Sequence, residues 1–172
     1  DGLVRVSMGT PSFEPSSLPF NPQGLPSREI RGFKQWAVRY KGELVWFSIC
    51  SMGNPHVTII PDDIETAPVG ELGPFIENHP AFPRRVNVGF IQPITEHEAN
   101  VRVWERGAGE TLACGTGNCA AVATSIELGA LSSPVLTHNK GGDLRLSWEG
   151  EGEDVELFGP AVTVFDSEIE IK

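Results

Sequence analysis

Residues 118–128 read as a helix with almost no polar face, because Ala120, Ala121, Val122, Ala123, Ile126 and Leu128 put apolar or small side chains nearly all round it. A helix patterned this way cannot lie on a surface with one side in water, so the rest of the chain has to enclose it. Gly129 supplies its C-terminal stop. What remains reads mostly as strands. Short runs rich in aromatic and β-branched residues recur at 3–8, 32–40, 43–50, 56–60, 87–91, 100–104, 111–113, 135–138, 144–148, 155–158 and 162–171. Lys41-Gly42 and Glu149-Gly150-Glu151-Gly152 are hairpin turns. Pro11, Pro15, Pro19, Pro22 and Pro26 keep one long connection irregular. A second, shorter helical pattern at 69–78 has Leu72, Phe75 and Ile76 on one side and ends before Pro80 and Pro83. The sum is an α+β domain of barrel-like antiparallel strands around a central helix.

Composition narrows the function classes. A net charge of −10 without any basic stretch makes nucleic acid and anionic membrane surfaces poor partners. No apolar run is long enough to span a bilayer, and Asp1-Gly2-Leu3-Val4-Arg5 lacks the hydrophobic region of a secretory signal. Three cysteines, an odd number, fit a reducing compartment better than a disulfide framework, so the expected location is cytoplasmic. The chain begins without methionine inside a strand pattern and therefore reads as a piece of something longer, with the proline-rich stretch able to join two domains.

Four stretches hold polar residues at the ends of these elements: Gly53-Asn54-Pro55-His56, Arg85-Val86-Asn87, Trp104-Glu105-Arg106-Gly107 and Ala113-Cys114-Gly115-Thr116-Gly117. Loops at strand ends converge on one rim of a barrel, where sites are usually assembled. At the start of a helix, Cys114 meets unpaired N–H groups and the positive end of the dipole, which favour thiolate and make it a candidate acid or base. Gly115 and Gly117 leave those N–H groups open to a carboxylate. Asn54 and Asn87 bring donors and acceptors, and Arg106 a bidentate fork, a set suited to an amino acid. Each residue also has a structural reading. The thiol is then inert in a glycine-rich turn, Asn54 forms a turn before Pro55, Asn87 caps a strand end, and Arg106 pairs with Glu105 at the surface. A cysteine–histidine nucleophile arises if His56 reaches Cys114, which would make a hydrolase or acyl transferase. No Cys-x-x-Cys or paired-histidine spacing occurs, so no metal is expected, and no phosphate-binding or dinucleotide glycine motif is present. His79 and His97 read as solvated loop residues.

Taken in order, these stretches resemble the C-terminal half of the diaminopimelate epimerase family. The likeness also runs through Val6-Ser7-Met8-Gly9-Thr10-Pro11, Phe82-Pro83, residues 103–110, Gly141-Gly142-Asp143-Leu144 and Gly159-Pro160-Ala161. It implies two pseudo-symmetric barrel-like domains, each around a central helix, with substrate in the cleft between them. On that template residues 1–12 end the first domain, 13–160 form the C-terminal epimerase domain, and 161–172 are a terminal strand at the domain boundary. The resemblance further implies interconversion of LL- and meso-diaminopimelate, in lysine and peptidoglycan precursor biosynthesis, with neither pyridoxal phosphate nor metal. Two cysteines, one per domain, exchange the α-proton. By resemblance Cys114 is the second-domain catalytic cysteine and proton donor. Asn54, Asn87, Glu105, Arg106, Gly115 and Thr116 match substrate-binding positions, and His56 and Glu105 match positions that tune the cysteine pKa. The family's other cysteine lies in a Cys-Gly-Asn-Gly motif that this chain lacks. The expectation is therefore a fragment inactive alone, awaiting an N-terminal partner domain and, in the full enzyme, a homodimer. Cys50 and Cys119 read as core thiols. The competing readings are another racemase or isomerase of the superfamily, of the proline racemase or phenazine type, and a stand-alone binding domain.

Overall fold

Lys41 and Gly42 both occupy the left-handed region, at φ 49° and 92°, and turn β3 (Phe33–Tyr40) back onto β4 (Glu43–Ser51). That hairpin is one part of an eleven-stranded sheet in a computed structural model that describes residues 2–171. The other strands are β1 (Leu3–Ser7), β2 (Ser27–Ile30), β5 (Pro55–Ile59), β6 (Asn87–Thr95), β7 (Glu98–Glu105), β8 (Gly109–Thr111), β9 (Val135–Asn139), β10 (Gly142–Ser147) and β11 (Glu156–Pro160). Two helices, α1 (Val69–Glu77) and α2 (Gly115–Glu127), complete it. Strand order runs β1-β11-β10-β9-β7-β6-β5-β4-β3-β2, with β8 added on β7. Pairings are antiparallel except β5 with β6 and β7 with β9. Those two exceptions have long connections, one holding α1 and the other α2, which give the chain room to cross over and return in the same direction.

Alternation along the central strands divides the interior into two layers. Val57 and Ile59 of β5 join Val88 and Phe90 of β6 in a core with Leu72 and Ile76 of α1. The opposite face, with Ile91, Val101 and Val103, packs on Cys119, Val122 and Ala123 of α2. Every residue of α2 from Gly117 to Ser125 is buried, as its pattern requires. Enclosing a side chain such as Val122 is worth about 2 kcal/mol, a gain realised only once the sheet has curled round the helix. Near the open ends of the strand order, Phe13 packs edge-on against Phe33 and Trp148, at centroid distances of 5.1 and 5.8 Å.

Several expectations need correction. β2 falls directly after Pro26 and pairs with β3, since that stretch holds no proline of its own. A short 3-10 turn, Pro15–Ser17, interrupts the irregular connection before it. β8 ends at Thr111 rather than running to 113, and α2 starts three residues before 118, because glycines in its first turn hide the start from an apolar-periodicity reading. Residues 161–171 form no strand, although 162–171 alternates like one. Val162, Val164, Phe165, Ile169 and Ile171 are between 78% and 92% exposed, and among the described residues no strand pairs with this stretch. The expected boundary strand is thus not formed over these residues, and position 172 lies outside the described ones. At the other end, β1 does pair with β11; position 1 is likewise outside. Among the described residues, no helix is long and apolar enough to cross a membrane.

α1 lies so close to β7 that a Cβ on Gly73 would sit 2.5 to 2.8 Å from Cγ, Cβ and Cδ2 of Trp104, whereas one on Gly70 would meet nothing within 4 Å. Urea unfolding should show Gly73→Ala destabilised by about 1–3 kcal/mol. Gly70→Ala on the same helix should be neutral or stabilised by up to about 1 kcal/mol. Equal stability of the two variants would contradict this packing.

Candidate active site

The rim expected from the sequence exists at one end of α2. Cys114 is the N-cap of that helix, with extended backbone, and Asn118 locks it there. The Asn118 side-chain amide donates to the Cys114 carbonyl and to Asn139 Oδ1, each at 2.9 Å, and its oxygen accepts from the Thr137 hydroxyl at 2.7 Å. A fully buried amide satisfied on both ends ties the helix start to β9. Its role is not legible in the sequence, where the one available signal is an asparagine at the head of an otherwise apolar helix.

A hydrogen-bonded relay crosses from β5 to the sulfur. His56 Nε2 donates to Asn54 Oδ1 at 2.9 Å, since an amide oxygen only accepts. Asn54 Nδ2 donates to the Thr116 hydroxyl at 3.3 Å, and that hydroxyl lies 3.7 Å from Cys114 Sγ. His56 therefore connects to the cysteine through two intervening side chains and forms no direct cysteine–histidine pair. Its ring is 1% exposed, and burial, with Arg106 nearby, pushes its pKa down to about 4, so at neutral pH it carries no charge.

Asn87 bridges two of the four stretches. Its Nδ2 donates to the Pro55 carbonyl at 3.0 Å, and its Oδ1 accepts from the Arg106 backbone N–H at 2.9 Å. The Glu105-Arg106-Gly107-Ala108 turn closes with the Ala108 N–H donating to the Glu105 carbonyl at 3.1 Å. Glu105 accepts from the Thr111 hydroxyl at 2.6 Å, and the Arg106 guanidinium donates to the Arg84 carbonyl at 3.2 Å. The two do not form the surface ion pair that is one reading of the sequence. Arg106 stays exposed at the rim.

The electrostatics at Cys114 reverse one expectation. Its thiol pKa is raised, and the largest cause is burial. The Gly117 N–H and the Thr116 hydroxyl pull it down, while the Glu105 carboxylate beside it adds to the rise. Desolvation outweighs the helix-end contribution, so the resting form is the thiol. Gly117 lets the backbone come this near, because a Cβ there would lie 3.3 Å from the sulfur and 3.2 Å from Val103 Cγ2. Cys50 and Cys119 are fully buried, and burial pushes both thiols up, Cys119 to about 12. They sit in the core, as expected. His97 is exposed in a loop, where its Nδ1 contacts the Ser132 carbonyl at 2.7 Å, and His79 is half-buried. Among the described residues no three His, Cys, Asp or Glu side chains come together in a way that could hold a metal ion.

A sequence profile described as diaminopimelate epimerase matches residues 48–164. The diaminopimelate epimerase of Ralstonia pickettii is 52% identical over 171 residues, and that of Paraburkholderia xenovorans 51% over 173. Each alignment covers 99% of this chain but only 59% and 60% of the relative, respectively. Two solved structures share the fold at 15% identity. One is a hydroxyproline epimerase from Agrobacterium vitis with bound trans-4-hydroxy-L-proline, with TM-score 0.64 over 92% of this chain and 50% of that one. The other, from Agrobacterium radiobacter, is described as a probable proline racemase with bound carbonate, with TM-score 0.65 over 99% of this chain and 54% of that one.

The lowered pKa of His56 makes stability depend on pH. Between about 4 and 6.5 the unfolded chain binds a proton at this ring and the folded chain does not. Stability present above 6.5 is therefore lost as the pH falls through that window, by up to about 3 kcal/mol. Urea unfolding at pH 7 and pH 4 should show His56→Gln losing less stability on acidification than the parent, and parallel losses would refute the assignment.

Proposed function

The chain belongs to the diaminopimelate epimerase family, and from that premise we propose that the full-length protein interconverts LL- and meso-diaminopimelate by proton transfer at the α-carbon. Cys114 is one of the two groups that move the proton. The observation that carries this reading is a partly exposed thiol at a helix N-terminus, held protonated by burial and by Glu105, next to the Thr116 hydroxyl that Asn54 holds.

Inverting a carbon through proton exchange needs a base on one face and an acid on the other. A thiol whose pKa is held up is a proton donor at neutral pH, which suits Cys114 to return the proton. Cys50 and Cys119 are sealed in the core, so the opposing base comes from sequence beyond these residues. When Cys114 gives up its proton, the Gly117 N–H and the Thr116 hydroxyl meet the thiolate and keep the transfer reversible. Arg106 and the bare N–H groups at Gly115 and Thr116 bind the substrate carboxylate, whose charge grows as the α-carbon is deprotonated. Asn54 and Asn87 each keep amide capacity beyond the bonds above and orient the amino group. His56, neutral and linked through Asn54, holds the relay that aims the Thr116 hydroxyl at the sulfur. On this reading the thiol pair acts with neither pyridoxal phosphate nor metal. Residues 13–160 form the catalytic domain, a second domain closes over the substrate, and the full protein is a homodimer.

Exchange of the α-proton of LL-diaminopimelate, followed by NMR in D2O, tests the proposal. Cys114→Ser in the full-length protein should lower kcat by about a thousandfold with little change in KM. The 172-residue chain alone should give no turnover. Wild-type rates from either protein would overturn the two-thiol reading.

A further inference from the structure

Glu77, the last residue of α1, holds its carboxylate where two effects oppose it. The residue is 4% exposed, and the negative end of the helix dipole repels an anion there. Such a group persists only where donors converge on it. Trp104 Nε1 donates to Oε2 at 2.7 Å, the Gly107 backbone N–H donates to Oε1 at 2.8 Å, and the Arg85 guanidinium reaches Oε1 at 3.5 Å. Trp104 and Gly107 bracket Glu105 and Arg106, so one carboxylate grips both ends of that segment while Asn87 holds its middle through the Arg106 N–H. Gly107 takes φ 79°, a conformation glycine accepts readily, which turns its N–H inward toward Glu77.

The packing of α1 does not call for this charge. Val69, Leu72 and Ile76 already fix the helix in the apolar layer, and Gly73 lies against the Trp104 ring. We infer that Glu77 is a positioning residue for the active site, holding the 104–107 turn so that Glu105 meets Cys114 and Arg106 faces the substrate. This rests on the role given to Cys114 above. Glu77 touches neither substrate nor sulfur and acts entirely through the turn.

The test follows the pH dependence of iodoacetamide alkylation at Cys114 in the full-length protein, read by mass spectrometry of the peptide that contains it. Glu77→Gln keeps the shape but replaces an acceptor oxygen with an NH2 group, setting donor against donor at Trp104 or Gly107. Glu105 holds the thiol up, so a released turn should move the alkylation midpoint down by about half a pH unit or more. Glu105→Gln should do the same, and the double variant should move no further than Glu105→Gln alone. A folded Glu77→Gln protein with the parent midpoint, or additive shifts in the double variant, overturns the inference. If Glu77→Gln does not fold, Glu77→Asp keeps both oxygens one methylene short. It should give a smaller shift of the same sign, and an unchanged midpoint again overturns the inference. The midpoint does not depend on turnover. A Cys114→Ser protein that still epimerises would therefore remove the catalytic reading and leave the alkylation result for Glu77 untouched.

Discussion

A helix buried on every side from Gly117 to Ser125 can exist only inside other structure, and much of this molecule follows from that demand. The sheet curls because α2 must be surrounded. It passes through β5, β6 and β7 with alternate residues turned toward the helix, leaving their other face for α1. Enclosure also creates the site. The helix is sealed along its middle and opens at its ends, and at the N-terminal one Cys114 meets the loops that follow β4, precede β6 and follow β7.

The chemistry at that end is a balance between desolvation and hydrogen bonding. Considered alone, the helix start argues for a thiolate, because N–H groups and the dipole stabilise negative charge. The folded environment adds burial and the neighbouring Glu105 carboxylate, and together these prevail. The outcome is a thiol with stabilising groups already in place for its conjugate base. That arrangement suits a group that must give up a proton and take it back. Neutral His56 contributes geometry rather than charge, through Asn54 and Thr116.

Two side chains outside the motifs complete the picture. Asn118 pins the helix start to β9, and Glu77 clamps the turn that carries Glu105 and Arg106. Neither stands out in the sequence, for different reasons. Asn118 is masked by the apolar pattern around it, and a glutamate ending a short helix looks like an ordinary surface residue. Both sit at junctions between elements distant in sequence, where local patterning carries no information.

The sequence by itself determined the class of fold, the enclosed helix, the β3–β4 hairpin and the four stretches that meet at the rim, because periodicity and turn chemistry are local properties of the chain. It also marked Asn54, Asn87, Glu105, Arg106 and Cys114 as members of one cluster. Tertiary structure alone decided which strands run parallel, that 162–171 pairs with no strand among the described residues, that Cys114 rests as a thiol, and that His56 reaches it only through a relay. Each of these depends on distances and burial between segments far apart in the chain, and desolvation, the largest influence on the sulfur, exists only once the domain has closed around its helix.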